Sequence, residues 1–158
     1  MLKVHGILFA EMEDKIGETV SVQGATINDH CPIESANGNL LGRLMESQGV
    51  YRCITQESIE LAGKAGLTVT CPQNNEENAI TGMNYLSLEV PFVKIKGSLL
   101  ESTVLKEAIK AGNLYFGFHG ILKKKVDNRI EECRIDKITI GLSPSQNCTK
   151  VFLDEDKV

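Results

Sequence analysis

The chain has 158 residues, a formal net charge of −4 at pH 7 and no tryptophan, with 42% hydrophobic and 24% charged residues. This composition is that of an ordinary globular protein, and the length predicts a single domain over residues 1–158. The net charge is negative, whereas nucleic-acid-binding proteins typically present a basic face, so we expect no nucleic-acid partner. Residues 2–10 are too few to span a bilayer and contain Lys3 and His5, so we expect no membrane partner and no signal peptide.

The cysteines are odd in number and scattered along the chain. They are Cys31, Cys53, Cys71, Cys133 and Cys148. No pair has the spacing of a zinc knuckle or a redox motif, so we expect no metal site and no cofactor. Reduced thiols in a cytoplasmic setting are the simplest interpretation.

The first half of the chain alternates β-rich segments with polar loops. Strands are predicted over residues 2–9, 19–27, 50–54 and 67–71. Residues 28–39 are predicted to be a loop because Pro32 and Gly38 interrupt them, and residues 40–47 fit a helix or a strand end equally well. Thr55 is predicted to cap a helix that ends before Gly66. A polar loop follows over residues 72–78.

The second half contains the clearest helix. Strands are predicted over residues 85–90, 93–100, 114–122, 129–135 and 137–142. The helix begins after a cap at Ser102 or Thr103 and ends at Gly112, with Leu105 and Ile109 on one face.

Turn and glycine signals complete the prediction of the fold. Gly117 and Gly120 indicate close backbone approach, and Asp127-Asn128 indicates a hairpin turn. Residues 154–157 are predicted to be a solvated tail. About eight strands and two helices in this order predict an α+β fold, mainly an antiparallel β-barrel or curled sheet with two flanking helices.

An ordered set of motifs occupies residues 92–148: the strand FVKIKGSL, a helix ending KAGNL, the strand LYFGF, a charged hairpin and the strand KITIGLSP. Upstream lies DKIGETV, followed by Gly24-Ala25. This order resembles the core of the prohead maturation proteases of tailed phages, which are relatives of herpesvirus assemblin. The resemblance covers roughly two thirds of the chain, with residues 31–85 matching poorly. It implies an assemblin-like β-fold.

The catalytic positions implied by the resemblance hold other residues. The family carries its nucleophilic serine on the strand after the helix, where this chain has Tyr115, or Phe116 or Gly117 if the register shifts. Lys137 stands where the family has an acidic partner, and His30 matches the family histidine. Phenylalanine and glycine offer no side-chain nucleophile, and a tyrosine with a pKa of about 10 is a poor one. A base without a nucleophile does not make a protease.

These replacements lead to a main hypothesis and two alternatives. We expect a non-catalytic phage virion or capsid-assembly protein of auxiliary, decoration or scaffold type, located in the virion or the host cytoplasm. Its partners would be the major capsid protein or other virion proteins, and copies would self-associate. One alternative is an active prohead maturation serine protease that uses His30 or His119 with a serine outside the matched strand, such as Ser87 or Ser98. The other is a binding module unrelated to phage heads.

The remaining candidate residues are aromatic side chains and thiols. Tyr115, Phe116 and Phe118 form an aromatic cluster that we predict to be a subunit contact or part of the core. His30 and Cys31 are neighbours in sequence, so on an extended segment their side chains point to opposite faces and form no dyad. The two histidines and this aromatic cluster are therefore the only site candidates, and no residue is predicted as catalytic in the main hypothesis.

Overall fold

A computed structural model describes residues 1–51, 55–67, 69–70, 87–88 and 90–154. The predicted loop 72–78, much of the predicted strands 50–54 and 85–90, and most of the predicted tail lie outside the described residues. The described strands are β1 (Leu2–Ala10), β2 (Thr19–Val20), β3 (Ala25–Ile27), β4 (Pro32–Ser35), β5 (Leu40–Val50), β6 (Val69–Thr70), β7 (Ser87–Leu88), β8 (Phe92–Leu99), β9 (Tyr115–Val126), β10 (Arg129–Gly141) and β11 (Phe152–Leu153). The described helices are α1 (Gln56–Lys64) and α2 (Thr103–Lys110). The prediction of an α+β protein is confirmed.

Nine of these strands form one mixed sheet with the order β11-β1-β8-β5-β4-β10-β2, while β3 and β9 also pair with β10. β10 pairs antiparallel with β9 and parallel with β2, β3 and β4. The strands β6 and β7 form a separate antiparallel pair. β10 is therefore the strand with the largest number of partners among those described.

The sheet is open, so the prediction of a barrel or a curled sheet is wrong. The segment after β10 reaches the start of β9, where the Phe116 N–H donates to the Thr149 carbonyl at 2.8 Å and the Val151 N–H donates to the Leu114 carbonyl at 2.9 Å. This contact contains a single isolated bridge, between Tyr115 and Lys150. Beyond it β9 pairs only with β10 in the described residues, and no ladder closes the sheet.

Neighbours in the sheet determine the structure of two segments, one of which differs from its prediction and one of which the sequence left open. Residues 32–35 were predicted to be loop but form β4, where Ile33 pairs with Ile138 and is 0% exposed. Pro32 is tolerated because it is the first residue of the strand. The ambiguous residues 40–47 belong to β5, which is antiparallel to β4 and to β8.

Two predicted strands are one continuous strand in the structure. Sequence alternation breaks between Ile135 and Ile138, and this break suggested separate strands over residues 129–135 and 137–142. In β10 the register with β9 shifts between Ile135 and Lys137, which marks a β-bulge. Because the bulge adds one residue, both isoleucines are fully buried.

Alternation along β1 and β8 separates an inner face from an outer face. The inner face carries apolar side chains of the main core, including Val4, Ile95, Ile33, Ile138 and Phe116. The outer face carries Lys3 and His5 from β1 and Lys94 and Lys96 from β8. We use "outer face" for this polar side of the sheet.

The helices end as predicted and pack on different clusters. Thr55 Oγ1 accepts from the Ser58 N–H at 3.3 Å, and Ser102 Oγ accepts from the Leu105 N–H at 3.2 Å. Gly66 and Gly112 have φ of +87° and +76°, which is the left-handed conformation expected at helix C-termini. α1 buries Leu61 and Ala62 in a second cluster with Ile7, Ala10, Val50, Phe92 and Cys148, while α2 buries Ile109 in the main core. Neither described helix is long and apolar enough to cross a membrane.

The predicted close approach at Gly120 is confirmed, and it yields a stability prediction. A Cβ at Gly120 would lie 2.1 Å from the Arg134 carbonyl oxygen, which is backbone and cannot rotate away. We expect Gly120→Ala to lower the free energy of unfolding by about 1–3 kcal/mol, measured by urea denaturation.

Gly63 provides the matched control for this prediction. It lies in α1, and a Cβ there would meet nothing within 4 Å. Gly63→Ala should therefore raise the free energy of unfolding by roughly 0.5–1 kcal/mol through helix propensity. Equal effects of the two substitutions would contradict the close approach.

Candidate functional site

The aromatic residues predicted as a cluster lie on both faces of β9. Phe116 is 1% exposed in the main core, and Phe118 contacts Phe9 with ring centroids 5.1 Å apart. These three rings line part of a small cavity of about 190 Å³. Tyr115 is half-buried and forms the backbone bridge to Lys150. Phe116 and Phe118 are thus core residues, and Tyr115 is separated from them by the alternation of the strand.

The position matching the family's acidic residue holds an ion-paired lysine. Lys137 Nζ lies 3.2 Å from Glu34 Oε2, on the neighbouring strand β4. His119 is exposed and pairs in register with Lys137 across β9 and β10. A triad base needs a hydroxyl to deprotonate and a carboxylate to orient it, and His119 has neither as a hydrogen-bond partner among the described residues. The structure therefore places His119 and Lys137 opposite each other in the ladder, with Lys137 paired to Glu34.

His30 lies on an exposed turn before β4. Its φ is +53°, its ring Nδ1 is 3.2 Å from the Leu44 carbonyl oxygen, and its own carbonyl accepts from Arg43 at 3.2 Å. The neighbouring Cys31 is buried in the main core, so the two side chains diverge. His30 is held by backbone contacts and has no hydroxyl or carboxylate partner in the described residues.

The described thiols are poor nucleophiles. Cys31, Cys133 and Cys148 are buried and not in disulfides. Burial raises the pKa of Cys31 and Cys133, and it raises the pKa of Cys148 to about 11. A thiolate is the reactive form, so these cysteines are structural.

A large groove lies on the outer face, and its lining contains none of the site residues predicted from sequence. Its volume is about 1360 Å³, and its floor is the outward side of β11, β1, β8 and β5. One row of paired residues crosses these strands: Glu46, Lys96, His5 and Phe152. α1 forms one wall, and Lys110 at the end of α2 contributes to another. The groove therefore combines residues that are far apart in sequence.

Two lysines of β8 fix the beginning of α1 over the sheet. Lys96 Nζ lies 3.2 Å from Glu57 Oε1, and Lys94 Nζ donates to Ser58 Oγ at 3.1 Å. The hydrogen bond between Lys96 and Glu57 raises the pKa of Lys96 and lowers the pKa of Glu57. Ser58 is only 2% exposed, so a substrate carbonyl cannot reach its hydroxyl. The Lys94–Ser58 contact is therefore an anchor of the helix and not a catalytic dyad.

His5 connects the end of α1 to the C-terminal segment. Its Nδ1 contacts Asp154 Oδ1, and its Nε2 lies 2.7 Å from Lys64 Nζ. An ammonium can only donate, so Nε2 accepts from Lys64 and Nδ1–H donates to Asp154. The imidazole stacks on Phe152 at 5.6 Å between centroids, and Lys64 Nζ lies 4.2 Å from the centroid of the same ring. This arrangement requires a neutral His5.

The pKa of His5 follows from these surroundings. Burial lowers it from the ordinary value of 6.5, the hydrogen bond to Asp154 opposes this shift, and the charge of Lys64 adds to the lowering. The net direction is downward. The folded protein therefore keeps this imidazole neutral at pH values where an exposed histidine is partly charged.

The chemistry of the groove is that of charge recognition. Asp154 orients His5 as a carboxylate orients the base of a triad, but Lys64 occupies Nε2 and no described hydroxyl is bonded to it. No three His, Cys, Asp or Glu side chains in the described ranges lie close enough to hold a metal ion. The lining contains six lysines and four carboxylates. These lysines are Lys3, Lys64, Lys94, Lys96, Lys110 and Lys150.

Sequence reasoning missed this groove. The available signal was the alternation of Lys3 and His5 on β1 and of Lys94 and Lys96 on β8, which predicts two polar rows on one face. The contribution of Asp154 had no local signal, because it lies 149 residues from His5.

The lowered pKa of His5 predicts a pH-dependent stability. Because the unfolded histidine titrates near 6.5 and the folded one below it, the unfolded state binds more protons in that window. The free energy of unfolding should therefore fall as the pH decreases from 6.5 toward the folded pKa. The uptake of one extra proton by the unfolded state limits the slope to about 1.4 kcal/mol per pH unit.

Urea denaturation between about pH 7.5 and 5 measures this effect, and His5→Gln should flatten the dependence. An NMR titration of the His5 ring gives an independent reading. A midpoint at or above 6.5, or an unchanged pH dependence in His5→Gln, would contradict the assignment.

Comparisons with known proteins do not extend these conclusions. No protein-family model, no curated protein and no solved structure matches this chain. The functional conclusion is therefore drawn from the residues themselves.

Proposed function

We propose that this chain is a non-catalytic phage virion or capsid-assembly protein that binds the capsid shell as an auxiliary, decoration or scaffold-type component. The proposal combines the motif order that resembles prohead maturation proteases with the chemistry at the matching catalytic positions. The order β8, α2, β9 and β10 agrees with the quoted motifs, and the sheet differs from the expected barrel in being open.

The Lys137–Glu34 ion pair is the observation that carries this proposal. A protease of this kind needs an anionic or neutral partner to stabilise the imidazolium that forms as the nucleophile loses its proton. Here the matching side chain is cationic, and its charge is balanced by Glu34 at 3.2 Å. Tyr115 at the nucleophile position is held by a backbone bridge to Lys150. The local chemistry supports a structural ion pair at this position.

A shell-binding role also agrees with the surfaces that the molecule presents. The part of β9 beyond Gly120 and the hairpin turn is exposed, and Ile121, Leu122 and Val126 are between 46% and 54% exposed there. A capsid presents the same surface many times, so a protein that binds it meets neighbouring copies of itself. Major capsid protein or other virion proteins, together with self-association, are therefore the proposed contacts.

Particle association tests the proposal. When the chain is co-expressed with the major capsid protein encoded in the same genome, we expect it to sediment with procapsids or mature heads while the capsid precursor stays uncleaved. Mass spectrometry of purified particles measures both the amount of this chain in them and the mass of the capsid protein. Absence from both kinds of particle would overturn the structural role.

A second candidate is an active prohead maturation serine protease with a triad outside the matched strand. The observation favouring it is the Asp154–His5 pair, in which a carboxylate holds an imidazole in one tautomer. Purified chain is incubated with capsid precursor, alongside the variants His5→Gln, His30→Ala, His119→Gln and Tyr115→Phe. Cleavage that is lost in a histidine variant and kept in Tyr115→Phe would favour the protease.

A further inference from the structure

We propose that the outer-face groove is a docking site for an extended, acidic segment of a partner protein. This inference deepens the proposed function by naming the chemistry of the partner, and it rests on that function in taking the partner to be a protein. The proposal is based on the charge, size and geometry of the groove.

The groove has an excess of positive charge, whereas the whole molecule has a negative net charge. The whole chain has a net charge of −4, yet the groove is lined by six lysines and four carboxylates. An excess of one sign of charge on a concave surface attracts partners of the opposite sign. An acidic partner would therefore be drawn to this groove and repelled by the rest of the surface.

Three of the six lysines have neither an ion pair nor a side-chain hydrogen bond within the described part of the chain. Lys96 is paired with Glu57, Lys94 is bonded to Ser58, and Lys64 contacts His5. The other three, Lys3, Lys110 and Lys150, have no carboxylate oxygen within 4.0 Å among the described residues. They line the groove from three different elements, namely β1, the end of α2 and the segment before β11. Their charges remain available to a ligand.

The size and spacing of the groove suit an extended chain. Its volume of about 1360 Å³ exceeds the roughly 300–1,000 Å³ of pockets for small molecules. Outward residues along a strand recur at about 6.6–6.8 Å, which is also the distance between alternate side chains of an extended peptide. A peptide that lies in the groove would direct alternate side chains toward the lining, where Lys3, Lys110 and Lys150 offer charges that no described carboxylate neutralises. The geometry therefore favours a peptide segment with alternating acidic residues.

The same lining disfavours a nucleic acid. Single-stranded nucleic acids bind on exposed aromatic faces, and Phe152 is the lining residue with a phenyl ring in the described groove. The His5 ring and the Lys64 ammonium already cover it. Glu46, Glu57 and Glu60 would also repel a continuous phosphate backbone.

Fluorescence anisotropy with a labelled peptide of alternating glutamate and serine tests the docking site. We expect binding that weakens with added salt, and no binding of the matching glutamine–serine peptide. The groove variant Lys3→Gln/Lys110→Gln/Lys150→Gln should weaken binding by about tenfold, because each exposed charge contributes modestly. These lysines anchor no element in the described structure, so the variant should unfold at the same urea concentration as the wild type.

The matched control is Lys15→Gln/Lys123→Gln/Lys124→Gln, which removes the same charge from exposed positions outside the groove. This control should change the affinity less than twofold, since its lysines do not line the site. Equal weakening by the two variants, no binding of the acidic peptide, or tighter binding of an oligothymidine of similar charge would each overturn the inference. The assay contains no capsid, so its failure is separate from a failure of particle association.

Discussion

The pairing of β10 along both of its edges is the constraint on which the rest of the sheet depends. On one edge β9 runs antiparallel to it over almost its whole length. On the other edge three short strands from residues 19–35, β2, β3 and β4, pair with it in parallel. The residues between these strands form loops. Strands of two to four residues are not stable alone. Their structure therefore exists because β10 provides a continuous row of hydrogen-bonding groups.

The bulge in β10 has a consequence for the outer face. It keeps Ile135 and Ile138 inside and so turns Lys137 outward, where Glu34 of β4 neutralises it. A regular strand would place residues 135 and 138 on opposite faces, and one isoleucine would lose its burial. Core packing and the ion pair at the family's acidic position are thus two results of the same irregularity.

Local signals made part of this structure predictable, and distant contacts account for the rest. Thr55 and Ser102 cap helices through bonds to residues only three positions away, and Gly66 and Gly112 end those helices, so sequence alone identified both helices. β4 was missed because its only fully buried side chain, Ile33, depends on Ile138 in a strand more than a hundred residues later.

The candidate site was less predictable than the fold for the same reason. The resemblance directed attention to β9 and β10, where the residues are core side chains or an ion pair. The groove is made by rows that cross four strands, and its His5–Asp154 contact joins the two ends of the described chain. Only the alternation of polar residues on β1 and β8 was visible in the sequence, and alternation specifies a face without specifying its neighbours.

The contrast between two lysine environments on the outer face bears on the proposed role. Lys137 is neutralised by Glu34, so it contributes to the sheet and offers little charge to a partner. Lys3, Lys110 and Lys150 border the groove without a carboxylate within 4.0 Å among the described residues, and like charges in one concave region repel each other. Outward positions of β1 and the loops require no cation for folding, since uncharged polar side chains such as Ser98 occupy the same face. These three lysines therefore contribute no ion pair to the described structure, which agrees with the docking site proposed above.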